Sequence, residues 1–198
     1  MNLFPVFQNI DIKNILVVGG GNIAKAKISR LLQFTSRITV IAEESDIACV
    51  PVIIKSFSEE DLDGMDLVVL AMGKPEKEIE IAKKCIEKGI LVNSASAPNA
   101  GNFYMPSLIK KGDLSIGIST GGYSPAYSRH LREEIERLIP EKIDEILLRL
   151  GVIRSKLKEE IQEQSLRSKI LREIMSLLIE KNNNVGDDEI RKIVVKYR

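Results

Sequence analysis

The stretch N-I-L-V-V-G-G-G-N-I-A-K-A-K-I-S-R-L-L, residues 14–32, decides the fold. It starts as an apolar run of strand length and breaks at three glycines. Ile23, Ala24, Ala26, Ile28, Leu31 and Leu32 then fall broadly on one helical face. The turn between the two patterns reads Gly19-x-Gly21-x-x-Ala24. In such a turn the first glycine permits the tight bend, and the second lets the backbone approach a pyrophosphate. The small third residue lets helix and strand pack closely, and the helix N-terminus offers N–H groups and a partial positive charge. The glycine pattern alone is weak evidence. Strand, turn, helix and a second strand at the right spacing together point to dinucleotide binding rather than a plain glycine turn.

Working outward, apolar runs alternate with helical patterns, as in a parallel α/β sheet. R-I-T-V-I-A (37–42) predicts a second strand and V-P-V-I-I-K-S-F (50–57) a third, with Pro51 at its start or on an edge. D-L-V-V-L-A-M (66–72), I-L-V-N-S-A (90–95) and D-L-S-I-G-I-S (113–119) predict three more. A helix is expected from Pro75, with acidic residues early, lysines late and Gly89 as a left-handed stop. Ser124 is a candidate N-cap with Pro125 at the first helical position. From Pro125 to about Lys181 the pattern is helical throughout. Its stripe of Ile135, Leu138, Ile139, Ile143, Ile146, Leu147 and Leu150 is punctuated by Pro140 and Gly151. Residues 182–188 read as a linker before a short last helix.

Composition narrows the function classes. The chain has 198 residues, 44% hydrophobic and 29% charged, with a formal net charge of +1. No bulk field draws such a molecule to nucleic acid or to a membrane surface, so any anionic ligand must meet a local cluster. The cysteines, Cys49 and Cys85, have no CxxC spacing, and with one histidine there is no metal-ligand pattern. Cys85 lies in a helical pattern and is expected to be a buried packing residue. No segment is long and apolar enough to cross a bilayer, and the first residues lack the pattern of a secretion signal. A reducing cytoplasm is expected. At the tip of the second strand stand Ala42, Glu43 and Glu44. A carboxylate there favours NAD by holding ribose hydroxyls and repels the extra phosphate of NADP. Plain surface glutamates are the other possibility.

F-P-V-F-Q-N-I-D-I-K-N-I-L-V-V-G-G-G-N-I-A-K-A-K-I-S-R-L-L (4–32) resembles the opening of the precorrin-2 dehydrogenase, or siroheme synthase amino-terminal, family. So do G-I-L-V-N (89–93), F-Y-M-P-S-L-I (103–109) and, most specifically, I-S-T-G-G-Y-S-P-A-Y-S-R-H-L-R-E-E-I-E (118–136). The resemblance implies an α/β chain: a Rossmann-type parallel sheet over residues 1–112, a dimerisation segment over 113–140 and an α-helical C-terminal region over 141–198. It implies a homodimer that oxidises precorrin-2 to sirohydrochlorin with NAD. Asn22 and Ile23 match the family's NAD contacts after the glycines, as do Glu43 and Glu44 after the second strand. Ser119, Thr120, Gly121 and Gly122 match the turn that faces the tetrapyrrole cleft. Thr120 falls to the catalytic side, and Ser119, Gly121, Gly122 and Arg129 to the substrate.

One loop departs from the family. L-V-N-S-A-S-A-P-N-A-G-N-F-Y-M-P (91–106) carries Ser96 where the family commonly places an aspartate, its favoured acid–base group. The fourth strand departs too, with Ala71-Met72-Gly73-Lys74-Pro75-Glu76 in place of A-T-D-D-P-E. A serine is a poor general base unless another group activates it. Dehydrogenation can survive the change. Iron insertion, which must strip protons from pyrrole nitrogens, is expected to be weak or absent, and no resident metal is expected. His130 is either a replacement base or an interface or surface residue. Lys110, Lys111, Arg129 and Arg132 flank the matching segments and are either cationic partners for a polycarboxylate or solvated charges. The expected function is thus NAD-dependent precorrin-2 oxidation. A non-catalytic relative that binds NAD or tetrapyrrole as carrier or sensor is the alternative.

Overall fold

The structure is a computed structural model that describes residues 3–197. These divide into two compact units, one ending at Met105 and the other starting at Pro106.

The first unit is a five-stranded parallel sheet. Its strands are β1 (Ile15–Val18), β2 (Ile38–Ala42), β3 (Val52–Ile54), β4 (Leu67–Leu70) and β5 (Leu91–Ser94), arranged in the order β3-β2-β1-β4-β5. Every residue of β1 and β4 is buried, because helices cover both faces of a parallel sheet. Alternating side chains feed two cores. Ile15, Val17, Val40 and Val69 pack with Ala24, Ile28 and Leu31 of α1 (Asn22–Leu31). Leu16, Val18, Val68 and Leu70 pack with Ile81, Ala82 and Cys85 of α2 (Pro75–Glu87). Pro75 occupies the first turn of α2, and Gly89 beyond its end has φ 74°.

The second unit opens with an antiparallel hairpin of β6 (Ser107–Lys111) and β7 (Leu114–Ile118). Helices α3 (Pro125–Leu138), α4 (Ile143–Glu160), α5 (Gln164–Glu180) and α6 (Asp187–Lys196) follow. Ile146, Leu157, Ile170, Ile174, Leu178 and Ile190 form the core of the last three helices. Ser124 caps α3 as expected, its Oγ accepting from Tyr127 N at 3.2 Å.

Several sequence expectations need correction. The helical stretch is interrupted at Ile139–Lys142 and again at Ile161–Glu163. Gly151 punctuates nothing and lies inside α4. The third strand shrinks to Val52–Ile54, since as an edge strand it has a ladder on one side only. Strand β6 has no apolar alternation to announce it. Lys110 and Lys111 make up its end, and pairing with β7 defines it. On α1 only Ala24, Ile28 and Leu31 are buried, and Ile23 is 51% exposed.

Cys49 is exposed, whereas Cys85 is fully buried and desolvation pushes its thiol up to about 11. Thiolate is the reactive form, so at neutral pH Cys85 is protected twice over. A disulfide-exchange reagent is therefore expected to titrate one thiol, Cys49, in the native protein and both in denaturant. Rapid reaction of two thiols without denaturant would contradict the packing of α2.

Candidate functional site

All five parallel strands present their carboxyl ends at one edge, and the strand order reverses between β1 and β4. A crevice opens at such a reversal. Here a cleft of about 370 Å³ is lined by Val18, Gly19, Gly20, Glu43, Met72 and Lys74, among others.

The three glycines have three different reasons to be glycine. Gly19 has φ 123°, and a Cβ there would lie 2.3 Å from the Ala71 carbonyl oxygen of the neighbouring β4 turn. A Cβ at Gly20 would lie 2.2 Å from Glu44 O. Nothing lies within 4 Å of the corresponding position at Gly21. Fold packing therefore dictates the first two, and only Gly21 borders open space. Gly21 is also the N-cap of α1. No side chain caps that helix, and its first turn holds no acidic residue. Its leading N–H groups, starting at Asn22, are thus available to an anion. A pyrophosphate fits this end on geometry, and the exposed Ile23 adds an apolar surface beside it.

Glu43 and Glu44 are both exposed. Glu43 accepts from Ser56 Oγ at 2.9 Å and pairs loosely with Lys74 at 3.8 Å, so it faces the cleft from the β2 side. Lys25 ties α1 to the following loop through Asp46 at 2.6 Å, and this hydrogen bond holds the Asp46 carboxyl below its ordinary range.

Ser96 is partly buried in the loop after β5, and its hydroxyl donates to Glu78 Oε1 at 3.0 Å. Sequence reasoning missed Glu78. It is fully buried on α2 and accepts four further hydrogen bonds. Met72 N and Gly73 N reach Oε1 at 2.8 and 3.1 Å. Ser94 Oγ and Ser96 N reach Oε2 at 2.6 and 2.9 Å. One carboxylate thus joins the turn after β4, which lines the cleft, to the loop after β5. The signal was in the spacing, because Glu78 precedes Ile81, Ala82 and Cys85 on the buried face of α2. Also missed was Lys27, which donates to the buried Asn93 Oδ1 at 2.6 Å. Burial and then Arg30 hold its ammonium below the usual lysine range, with Glu78 opposing.

The remaining candidates lie in the second unit. Thr120 Oγ1 accepts from Ser124 N at 3.2 Å and donates to Ser124 O at 3.1 Å. Ser119 Oγ accepts from Gly121 N at 3.2 Å. Gly121 and Gly122 have φ of 61° and 84°, so both glycines are needed for this turn. Arg129 and His130 are exposed on α3, and the His130 ring stands 6.4 Å from Tyr127. Arg132 is engaged with Glu136 at 2.9 Å. Lys110 donates to Gly112 O. Among the described residues no three His, Cys, Asp or Glu side chains converge as a metal site.

A five-stranded 3-2-1-4-5 sheet with an uncapped helix at its glycine turn defines a Rossmann-type dinucleotide-binding protein. The chain belongs to the family described as putative NAD(P)-binding, whose sequence model matches residues 6–107. A second model, sirohaem biosynthesis protein central, matches residues 111–138. Siroheme synthase 1 of Aeromonas salmonicida (strain A449) is 29% identical over 184 residues, covering 89% of this chain and 39% of its own length. Siroheme synthase of Pseudoalteromonas translucida (strain TAC 125) is 33% identical over 167 residues, covering 80% of this chain and 35% of its own. The chain thus spans little more than a third of these relatives. The solved structure of SirC, precorrin-2 dehydrogenase, shares the fold, with a TM-score of 0.73, 24% identity and 98% of each chain covered. These matches uphold the resemblance drawn from the sequence.

Two single substitutions separate packing from binding. Gly19→Ala combines a forbidden φ with a backbone collision, and it is expected to cost about 3 kcal/mol or more and lower the thermal midpoint sharply. Gly21→Ala meets no protein atom, so the midpoint should hold while affinity for NAD falls about tenfold or more. Calorimetry and ligand titration of both variants check this, and equal loss of stability in the two would refute the division of roles.

Proposed function

We propose that the chain is an NAD-dependent precorrin-2 dehydrogenase that oxidises precorrin-2 to sirohydrochlorin on the way to sirohaem. The observation that carries this reading is one open, uncapped glycine turn in a chain that also bears the sirohaem biosynthesis central segment. The names of the relatives and of the structural neighbour point the same way.

Gly19, Gly21, Asn22 and Ile23 hold the pyrophosphate end of the dinucleotide, and Glu43 and Glu44 hold ribose hydroxyls. Bound there, NAD supplies the hydride acceptor. The chain has two remaining tasks: it must orient the donor carbon and accept a proton. Arg129 meets a carboxylate arm of the macrocycle, and the Ser119, Gly121 and Gly122 backbone shapes the surface it lies on. Thr120 fixes that turn through its two bonds to Ser124 and takes the catalytic role that the resemblance implies. Ser96 is the polar group offered from the β5 loop.

The protein is read as a cytoplasmic homodimer. Residues 113–140 are its dimerisation segment, where Tyr123 and Leu138 expose 88% and 81% of their surface. Iron insertion is weak or absent on this reading. One observation favours the alternative of a non-catalytic carrier or sensor: position 96 holds a neutral hydroxyl.

The test is NADH formation, followed by absorbance, from precorrin-2 and NAD. Turnover by the native protein is the expected result. Silence from a protein that still binds both molecules transfers the chain to the carrier reading. Replacing Glu43 and Glu44 together by alanine is expected to narrow the preference for NAD over NADP by about tenfold, measured as the ratio of the two kcat/KM values. An unchanged ratio removes both glutamates from the ribose site.

A further inference from the structure

Glu78 is a fully buried carboxylate, and among the described residues no lysine or arginine forms an ion pair with it. Burying such a group is costly unless its lone pairs are met. Five donors meet them, and they are of two kinds. Met72 N, Gly73 N and Ser96 N are backbone N–H groups, which can only donate. Ser94 and Ser96 contribute hydroxyls, which can turn round and accept. Ser94 Oγ is already committed to Ala97 N as an acceptor, at 3.0 Å. Ser96 is partly exposed, and its hydroxyl has one hydrogen, which points inward to Glu78. Towards the outside that oxygen presents lone pairs only. Of the five contacts, the one through the Ser96 hydroxyl is therefore the one by which a proton from outside can reach the buried carboxylate.

We propose that Glu78 is the positioning residue for Ser96 and that the two act as one acid–base unit, with the hydroxyl touching the substrate and the carboxylate behind it. The inference rests on the dehydrogenase reading above. Each oxidation removes two hydrogens from the substrate. One leaves with its electron pair as hydride to the dinucleotide. The other leaves as a proton to Ser96 Oγ while the serine's own hydrogen passes to Glu78 Oε1. The electron pair of the broken bond stays in the substrate as the new double bond. After product release, the same two transfers in reverse return the proton to water. Nothing is left on the protein, and no further oxidant is required. The serine that looked like a lost carboxylate is instead its outer contact, with the charge moved from the loop onto α2.

The experiment measures precorrin-2-dependent NADH formation, NAD affinity and thermal midpoint for the native chain, Ser96→Ala, Glu78→Gln, Ser96→Asp and the double variant Glu78→Gln/Ser96→Asp. Ser96→Ala leaves Glu78 its three backbone donors and Ser94, so the loops stay joined. It is expected to lower kcat on the order of tenfold to a hundredfold, with NAD affinity changed by less than about threefold. Glu78→Gln is expected to lower kcat by a similar factor. Ser96→Asp sets two carboxylates against each other and is expected to lower both kcat and the midpoint. In the double variant a single carboxylate remains, now on the loop, and kcat should recover towards the native value. The midpoint stays below the native one, because the amide nitrogen introduced at position 78 cannot accept the N–H groups that one carboxylate oxygen held. A purely structural Glu78 predicts otherwise: native kcat in Ser96→Ala, and no recovery of kcat in the double variant. Either result overturns the proposal. Turnover by the native chain that survives Ser96→Ala removes the acid–base unit alone, whereas a native chain that forms no NADH removes the dehydrogenase reading and the unit with it.

Discussion

The end of β1 meets the end of β4 without room for a side chain. Gly19 N donates to Ile41 O at 2.8 Å on one side, and Ala71 N donates to Val18 O at 2.8 Å on the other. Three parallel strands are thus tied where the chain leaves the sheet. Any Cβ at Gly19 would enter the Ala71 carbonyl, and any at Gly20 would enter the Glu44 carbonyl. The close approach draws the turns after β2 and β4 in towards the glycine turn, where they form the walls of the cleft. It also aims the start of α1 at that cleft, since the helix begins right after Gly21. The opening at Gly21 follows from how tightly its neighbours are packed.

A second constraint acts one strand further along. The turn after β4 and the loop after β5 have no ladder between them once the strands end. The Glu78 carboxylate holds them together with three N–H and two hydroxyl donors. Apolar residues at this position of α2 would bury well against Ile81 and Cys85 but would leave the backbone N–H groups of Met72, Gly73 and Ser96 without those acceptors. Met72 and Ser96 are half-buried, and an N–H group that loses its acceptor away from water costs more than a net hydrogen bond returns. The glutamate is therefore matched to the loops as closely as the glycines are matched to the strands.

What the sequence disclosed and what it hid follow from range. The β1–turn–α1 unit is local: strand length, glycine position and helical spacing lie within one window, and Ser124-Pro125 signals its helix just as locally. Strand β6 exists through its pairing with β7, and the short edge strand β3 through β2, so neither boundary could be read from its own residues. Gly151 misled because glycine is a poor helix former, yet the cost of one is small against the packing of an eighteen-residue helix. The need for glycine at position 20 is not legible in the glycine turn itself, because its close contact comes from residue 44. Glu78 was visible as a misfit, a charge on the apolar face of α2, but its partners lie at positions 72, 73, 94 and 96. Only the fold brings them together.

Ser96 was conspicuous because a neutral residue stood at a position where charge was expected. The geometry changes what that neutrality means. A carboxylate on a loop is solvated and mobile, and it can serve as acid, base or metal ligand alike. A carboxylate inside α2 is fixed by its helix and screened from water, and rigid elements hold working groups more accurately than loops do. Its lone pairs are also spent. The three backbone donors cannot be released without unmaking the loops, so neither a metal ion nor a pyrrole nitrogen can claim those oxygens. A hydroxyl can reverse its hydrogen bond at little cost, so a proton can still pass by way of Ser96. Moving the charge inward therefore selects among chemistries. On the proposed dehydrogenase reading it keeps a route for the single proton that accompanies hydride removal and closes the direct contact that metal insertion into a macrocycle would require.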